Sequence, residues 1–207
     1  MSTAEAERPP RVLLVEDDGA LRQLWASLLA GRGLDVAEAG DAVEAVEVAA
    51  RLRPELALLD LGLPPHPGDA RAGLAAMQHL LLDFPRLKVI IITGQDEPSL
   101  CWRAIGMGAF DYLVKPAAAA QVLQVVERAR MFVSSERALA REGHARLTVT
   151  APLGEGVREF GDAAQERLVR SVMEDCGHNV AEAARRLGLS RENLYYFLRK
   201  FGVERGT

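Results

Sequence analysis

Two hydrophobic periods alternate along the first 130 residues. Short apolar, β-rich runs fall at 12–15, 34–38, 56–59, 89–92 and 110–114. Between them apolar positions recur at helical spacing over 20–30, 42–52, 74–83, 99–106 and again from about residue 117. Strands alternating with helices in this way predict an α/β fold, a doubly wound five-stranded parallel sheet with helices on both faces. A sheet of that kind places its functional crevice outside the carboxyl ends of its strands.

The last helix of the alternation continues past residue 121. Val122, Ala129 and Glu136 form one seven-residue series, and Val125, Phe132 and Leu139 form another. That spacing suits a two-stranded seam between copies of the chain, a weak one because Ala129 and Glu136 are poor seam residues. Gly143 is expected to end the helix. Residues 143–161, with Pro152 and no clear period, read as a linker, and a small all-helical unit follows over about 162–201. The expected domains are therefore 10–130, a helical extension and linker over 131–161, and 162–207.

Composition narrows the class. The chain has 207 residues, 49% of them apolar and 26% charged, as in ordinary globular proteins. Its first ten residues carry no apolar core of a secretory signal, and no apolar run approaches a membrane span. The two cysteines, Cys101 and Cys176, are too far apart for a CxxC site. Together these features point to a cytoplasmic protein with no membrane partner. The net charge is −4, but from Asn179 onward six basic residues face three acidic ones, so the tail is +3 and the rest −7. That asymmetry suits an acidic module joined to one that meets nucleic acid.

Polar residues cluster where the predicted strands end. Glu16, Asp17 and Asp18 follow the first strand, Asp60 the third, Thr93 the fourth, and Lys115 and Pro116 the fifth. A hydrophobic core does not require this coincidence. Glu16, Asp17 and Asp60 would repel one another, and Mg²⁺, a hard cation that favours oxygen ligands, would relieve the repulsion. Asp60 could then act as a nucleophile toward a phosphoryl group, with Lys115 and Thr93 contacting the phosphoryl oxygens.

These segments, VLLVEDD over 12–18, LLD over 58–60, IITG over 91–94 and YLVKP over 112–116, resemble the receiver domain of response regulators across about residues 11–130. The resemblance implies phosphorylation of Asp60 by a sensor histidine kinase. It also implies Mg²⁺ held directly by Asp17 and Asp60, by Glu16 through water, and by the backbone carbonyl of Gly62. It makes Thr93 and Tyr112 the pair that reorients on phosphorylation, and implies a cis peptide at Lys115-Pro116. The proline-rich stretch 62–73 is longer than the usual loop after the acceptor.

The C-terminal unit has the spacing of a helix-turn-helix. Ala184 suits the tight helix crossing, Gly188 the turn, and Leu194 and Leu198 the inner face, while Ser190 suits a cap. Arg191, Asn193, Tyr195, Tyr196, Arg199 and Lys200 are expected to project outward, and with Ser190 they form the expected DNA-contacting set. The segment NVAEAARRLGLSRENLY over 179–195 resembles the Fis-type DNA-binding domain across about residues 163–203. This implies a homodimer on double-stranded DNA, with helices near 163–174 in the dimer core. Tyr195, Tyr196 and Phe197 depart from that pattern, where basic residues often stand. No GxxxxGK[ST] loop occurs, so the central ATPase domain of sigma-factor activators is missing, and no enzymatic constellation is expected. Two classes remain: a phosphorylation-controlled DNA-binding regulator, or a signalling adaptor whose helical tail serves only dimerisation.

Overall fold

The three central strands of the sheet bury both of their faces, and the alternation of side chains decides which helices cover them. The computed structural model describes residues 8–65, 69–94, 98–150 and 157–203. The chain divides into two units, residues 1–138 and 139–207. In the first unit β1 (Arg11–Val15), β2 (Asp35–Ala39), β3 (Leu56–Leu59), β4 (Lys88–Thr93) and β5 (Asp111–Val114) form one parallel sheet in the order β2-β1-β3-β4-β5. Leu13, Val15, Ala57, Leu59, Val89 and Ile91 pack on one side against α2 (Ala42–Leu52), α3 (Arg71–Asp83) and α4 (Pro98–Gly106). Val12, Leu14, Leu56, Leu58, Ile90 and Ile92 pack on the other against α1 (Gly19–Ala30) and α5 (Ala119–Arg141). This is the expected doubly wound fold. Strand order reverses beside β1, so the crevice opens between β1 and β3.

Local chemistry fixes the helix ends that frame the crevice. The Asp18 carboxylate accepts the N–H groups of Ala20 and Leu21 at 2.9 and 3.1 Å and starts α1. The helix after β3 begins at Arg71, so Gly73 lies inside α3 rather than closing the proline-rich loop. Glycine is required there because a Cβ would stand 2.7 Å from the Leu61 carbonyl oxygen. The loop is anchored by Leu61 and Leu63, both fully buried; His66, Pro67 and Gly68 lie outside the described residues.

The seam expected along α5 is taken up by the chain's own core. Val122, Val125, Val126, Ala129 and Val133 are buried against the sheet, and Phe132 meets the Phe110 ring edge-on at 5.2 Å. The two series therefore mark the face of a helix lying on a sheet, which shows the same spacing over three turns as a coiled-coil seam. Ion pairs extend this attachment. Lys88 Nζ lies 2.8 Å from both Glu136 oxygens. Arg137 donates to Glu55 at 2.9 and 2.6 Å and to the Arg8 carbonyl at 3.0 Å.

In the second unit α6 (Val157–Asp175), α7 (Val180–Leu187) and α8 (Arg191–Lys200) enclose Val169, Met173, Ala183, Ala184, Leu194 and Leu198. Gly161, read from sequence as the end of a linker, lies inside α6. One interior glycine costs about 1 kcal/mol, less than the packing of a 19-residue amphipathic helix returns. Gly188 closes α7 at φ 66°, as the turn between the helices requires. Among the described residues no helix is long and apolar enough to cross a membrane.

Candidate functional site

The strand ends bring together the side chains that the spacing singled out. Glu16, Asp17, Asp60, Gly62, Thr93, Gly94 and Lys115 line an open cavity of about 500 Å³ at the carboxyl edge of the sheet. Parallel pairing sets their height: the Asp60 N–H donates to the Val15 carbonyl at 3.0 Å, and the Lys115 N–H to the Thr93 carbonyl at 2.8 Å. Carboxylate oxygens of Glu16, Asp17 and Asp60 lie within 4.8 Å of one another. Glu16 and Asp60 are buried, while Asp17 is exposed at the mouth. Asp60 accepts from the Gly62 N–H at 3.0 Å. Lys115 Nζ reaches Asp60 Oδ2 at 2.6 Å and the two Glu16 oxygens at 2.9 and 2.6 Å. The Lys115-Pro116 peptide is cis.

Burial and pairing compete in this cluster. Burial pushes the Glu16 carboxyl above its ordinary value, and the Lys115 ammonium only partly pulls it back. Burial also pulls Lys115 down, but its bonds to Asp60 and Glu16 outweigh that and leave it above the ordinary lysine value. Three carboxylates gather at the site and one ammonium bonds two of them, so the site has an excess of hard oxygen donors. That donor set fits a small divalent cation such as Mg²⁺. Around Gly94 a Cβ would meet nothing within 4 Å, so the approach to Asp60 is open on that side.

Thr93 is fully buried at the cavity wall. Tyr112 is half-buried on β5 and packs against the core side that carries α3 and α4, away from the cavity lining. Asp18, third of the acidic run, is an N-cap, and its carboxyl is held low by the two backbone N–H groups it accepts. Sequence reasoning missed Arg22, whose Nη1 donates to the Glu16 carbonyl at 2.5 Å. Its place on the first turns of the predicted α1, six residues beyond Glu16, was the available signal.

In the second unit Arg191, Asn193, Tyr196 and Arg199 are exposed on α8. Ser190 caps that helix, its Oγ accepting the Asn193 N–H at 3.2 Å. Tyr195, expected to project outward, is half-buried and packs against the three-helix core. It follows Leu194 by about 100° of helical turn, which puts its ring at the edge of the inner face. Lys200 is exposed but engaged, with Nζ 2.7 Å from Asp162 Oδ1 and 5.2 Å from the Phe201 ring centre. On α7, Arg185 and Arg186 both bond Glu182, whose carboxyl they hold down to about 2.

In sequence and fold the chain is similar to known proteins. The family described as response regulator receiver domain matches residues 12–127, and that described as bacterial regulatory protein, Fis family, matches residues 164–201. The transcriptional regulatory protein PdtaR of Mycobacterium tuberculosis (strain ATCC 25618 / H37Rv) is 33% identical over 127 residues, 61% of this chain and 59% of PdtaR. The acid tolerance regulatory protein ActR of Sinorhizobium medicae (strain WSM419) is 28% identical over 189 residues, 91% of this chain and 86% of ActR. The crystal structure of the receiver domain of NtrX from Brucella abortus matches with a TM-score of 0.53 at 32% identity, covering 58% of this chain and 98% of that one. The chain thus spans less than two thirds of the length of PdtaR, and most of that of ActR.

Proposed function

Because the chain belongs to the response regulator receiver family, we propose that it is a two-component response regulator that takes a phosphoryl group onto Asp60 and acts on transcription through DNA. The donor is a sensor histidine kinase. The receiver spans residues 10–130, the extension and linker 131–161, and the Fis-type DNA-binding domain 162–207. The protein works in the cytoplasm as a homodimer on double-stranded DNA, as a regulator rather than an enzyme.

The observation that carries the acceptor reading is the nearly buried Asp60 carboxylate, hydrogen-bonded to Lys115 and grouped with Glu16 and Asp17 at the mouth of an open cavity. An Asp60 oxygen attacks the phosphorus of a phosphohistidine. The new O–P bond forms as the P–N bond breaks, and its electron pair returns to the imidazole. Asp17, Asp60, Glu16 through water, and the Gly62 carbonyl would hold Mg²⁺, which neutralises charge on the phosphoryl oxygens when bound. Lys115 exchanges its bond to Asp60 for one to a phosphoryl oxygen. Thr93 donates its hydroxyl to another, and Tyr112 follows into the space Thr93 leaves. Asp60→Asn keeps the shape and removes the nucleophile. Mass spectrometry after acetyl phosphate treatment is expected to show one added phosphoryl group on the native chain and none on the variant; uptake by the variant defeats the assignment.

Exposed Arg191 and Asn193 at the start of α8 support the DNA reading, because a recognition helix uses its first residues for base edges. Arg199 and Lys200 serve phosphates, Tyr196 offers an exposed ring, and Ser190 holds the helix start. Substituting Arg191 and Asn193 together is expected to abolish specific DNA binding while the dimer persists. Binding retained by the variant would move the base contacts off these two residues, and a native chain that dimerises but binds no DNA would favour the adaptor reading instead.

A further inference from the structure

The acidic loop after β1 is held from behind by one side chain. Arg22 Nη1 donates to the Glu16 carbonyl at 2.5 Å and to the Asp17 carbonyl at 3.5 Å. Its Nε lies 3.3 Å from Glu38 Oε2 at the end of β2, and its backbone N–H donates to the Asp18 carbonyl at 2.8 Å. The guanidinium lies against Gly40, where a Cβ would make ordinary contact with Nη1 at 3.4 Å. Arg22 therefore ties the β1–α1 loop to the end of β2, on the side of the loop away from the cavity lining.

The geometry points to Arg22 as a positioning residue for the cation site, a role that rests on the acceptor reading above. Lys115 fixes the side chains of Glu16 and Asp60 directly. Asp17 is different: its carboxylate is exposed, and its placement depends on the backbone that carries it. Two peptide units of that backbone end in the carbonyls Arg22 grips. A guanidinium suits the task because its planar fork can meet a carbonyl and the Glu38 carboxylate at once, whereas an ammonium is a point charge. Fixing the loop before the cation arrives removes an ordering cost from binding, as outer partners of metal ligands do.

The test is calorimetric titration of the full chain with Mg²⁺ in the absence of any phosphodonor, alongside thermal unfolding in chelator and amide hydrogen exchange over residues 16–20. Arg22→Ala is expected to weaken Mg²⁺ binding by about tenfold and to speed exchange in that loop. Arg22→Lys keeps the charge but not the fork and is expected to fall between the two. Glu38→Gln, which frees one end of the guanidinium, is expected to weaken binding less. A purely structural arginine would lower the melting temperature in chelator and leave Mg²⁺ affinity and loop exchange alone, and that result overturns the proposal. So does full restoration by Arg22→Lys, which would make the effect one of charge rather than position. A native chain that binds no Mg²⁺ overturns the reading of the site and this proposal with it. A native chain that binds Mg²⁺ while Arg22→Ala binds it equally well overturns this proposal alone.

Discussion

The Lys115 ammonium and the Asp60 carboxylate meet at 2.6 Å although 55 positions separate them in the chain. The same ammonium holds Glu16 at 2.6 Å, so one cation offsets two carboxylates with only 3% and 7% residual exposure. Lys115→Met would fill similar space and leave both without it. Breaking a fully buried ion set costs about 3–5 kcal/mol and an exposed one less than about 1; with Lys115 partly exposed, about 2 kcal/mol is expected. The sign with pH follows from Glu16. Burial already raises its pKa, and losing Lys115 raises it further, so the folded variant binds a proton more readily than the unfolded chain. Its stability deficit should shrink as pH falls through that raised value. In the native chain the raised Lys115 value works the other way: its contribution is present below 10.5 and is lost as pH rises through the folded value. Urea unfolding across pH measures both, and a pH-independent deficit would show that Lys115 does not neutralise Glu16.

Gly73→Ala tests how α3 sets the loop after the acceptor. The new methyl would be driven into the Leu61 backbone, 2.7 Å from its carbonyl oxygen, and backbone cannot swing aside as a long side chain can. Overpacking of this kind costs about 1–3 kcal/mol. Leu61 follows Asp60 directly, so the shift should also slow acetyl phosphate uptake. Native stability together with native uptake would show that α3 adjusts without strain.

The strand ends were readable in the sequence because a parallel sheet converts period-two burial into position: each polar residue just after an apolar run must land on one edge. The ends of α3 and α6 were less readable. Gly73 and Gly161 look like breaks in a one-dimensional pattern, yet one is needed for a close helix–loop approach and the other is carried by a long packed helix. The α5 series failed for a different reason. Val125 and Phe132 have the spacing of a seam, and only the three-dimensional fold shows that the sheet and Phe110 already occupy that face. Arg22 and the Lys200–Asp162 pair depend on partners distant in the chain or on backbone carbonyls, which side-chain patterns do not reveal.

Glu55 tests the clamp on α5. It faces Arg8 at 3.7 Å, Arg11 at 4.0 Å and Arg137 at 2.6 Å, one carboxylate among three guanidiniums. Burial and the Arg8 charge both depress the Arg11 value, a sign that this cluster is short of negative charge. Glu55→Gln is expected to destabilise the first unit by about 2 kcal/mol, between the exposed and fully buried limits. Exchange of α5 amides near Arg137 should rise more than exchange near Val122. A uniform rise along α5 would mean that Glu55 supports the whole unit rather than this helix end.

Glu182 supplies a second pH test. Bonds from Arg185 and Arg186 hold its carboxyl down to about 2 from the ordinary 4.5. With the folded value depressed, its contribution to the fold of α7 is present above 4.5 and is lost as pH falls toward 2. The side chain is about one-third exposed at the surface, so salt should screen the effect. Carbon-detected titration of the Glu182 carboxyl in low salt is expected to find the depressed midpoint. Replacing Arg185 and Arg186 by Ala should return it toward the ordinary value. An unchanged midpoint in the double variant would assign the depression to the helix start instead.

Lys200 tests what α8 offers to DNA. Its Nζ lies 2.7 Å from Asp162 Oδ1, with the lysine side chain 30% exposed and the aspartate 43%. A pair this exposed is worth less than about 1 kcal/mol, and a DNA phosphate can displace it. Each lysine that reaches a phosphate adds about 0.9 to the slope of log affinity against log salt, so the pair can be followed by salt titration. If Asp162 competes with phosphate for Lys200, Asp162→Asn should tighten binding to a duplex of arbitrary sequence by up to about fivefold, the equivalent of breaking one such pair. Lys200→Ala should weaken binding and flatten the slope by about one relative to Asp162→Asn. Fluorescence anisotropy of a labelled duplex over a salt series, on the full chain and both variants, measures affinity and slope together. Identical curves for all three proteins would remove Lys200 from the DNA face and leave Arg191 and Arg199 as the cations of that helix.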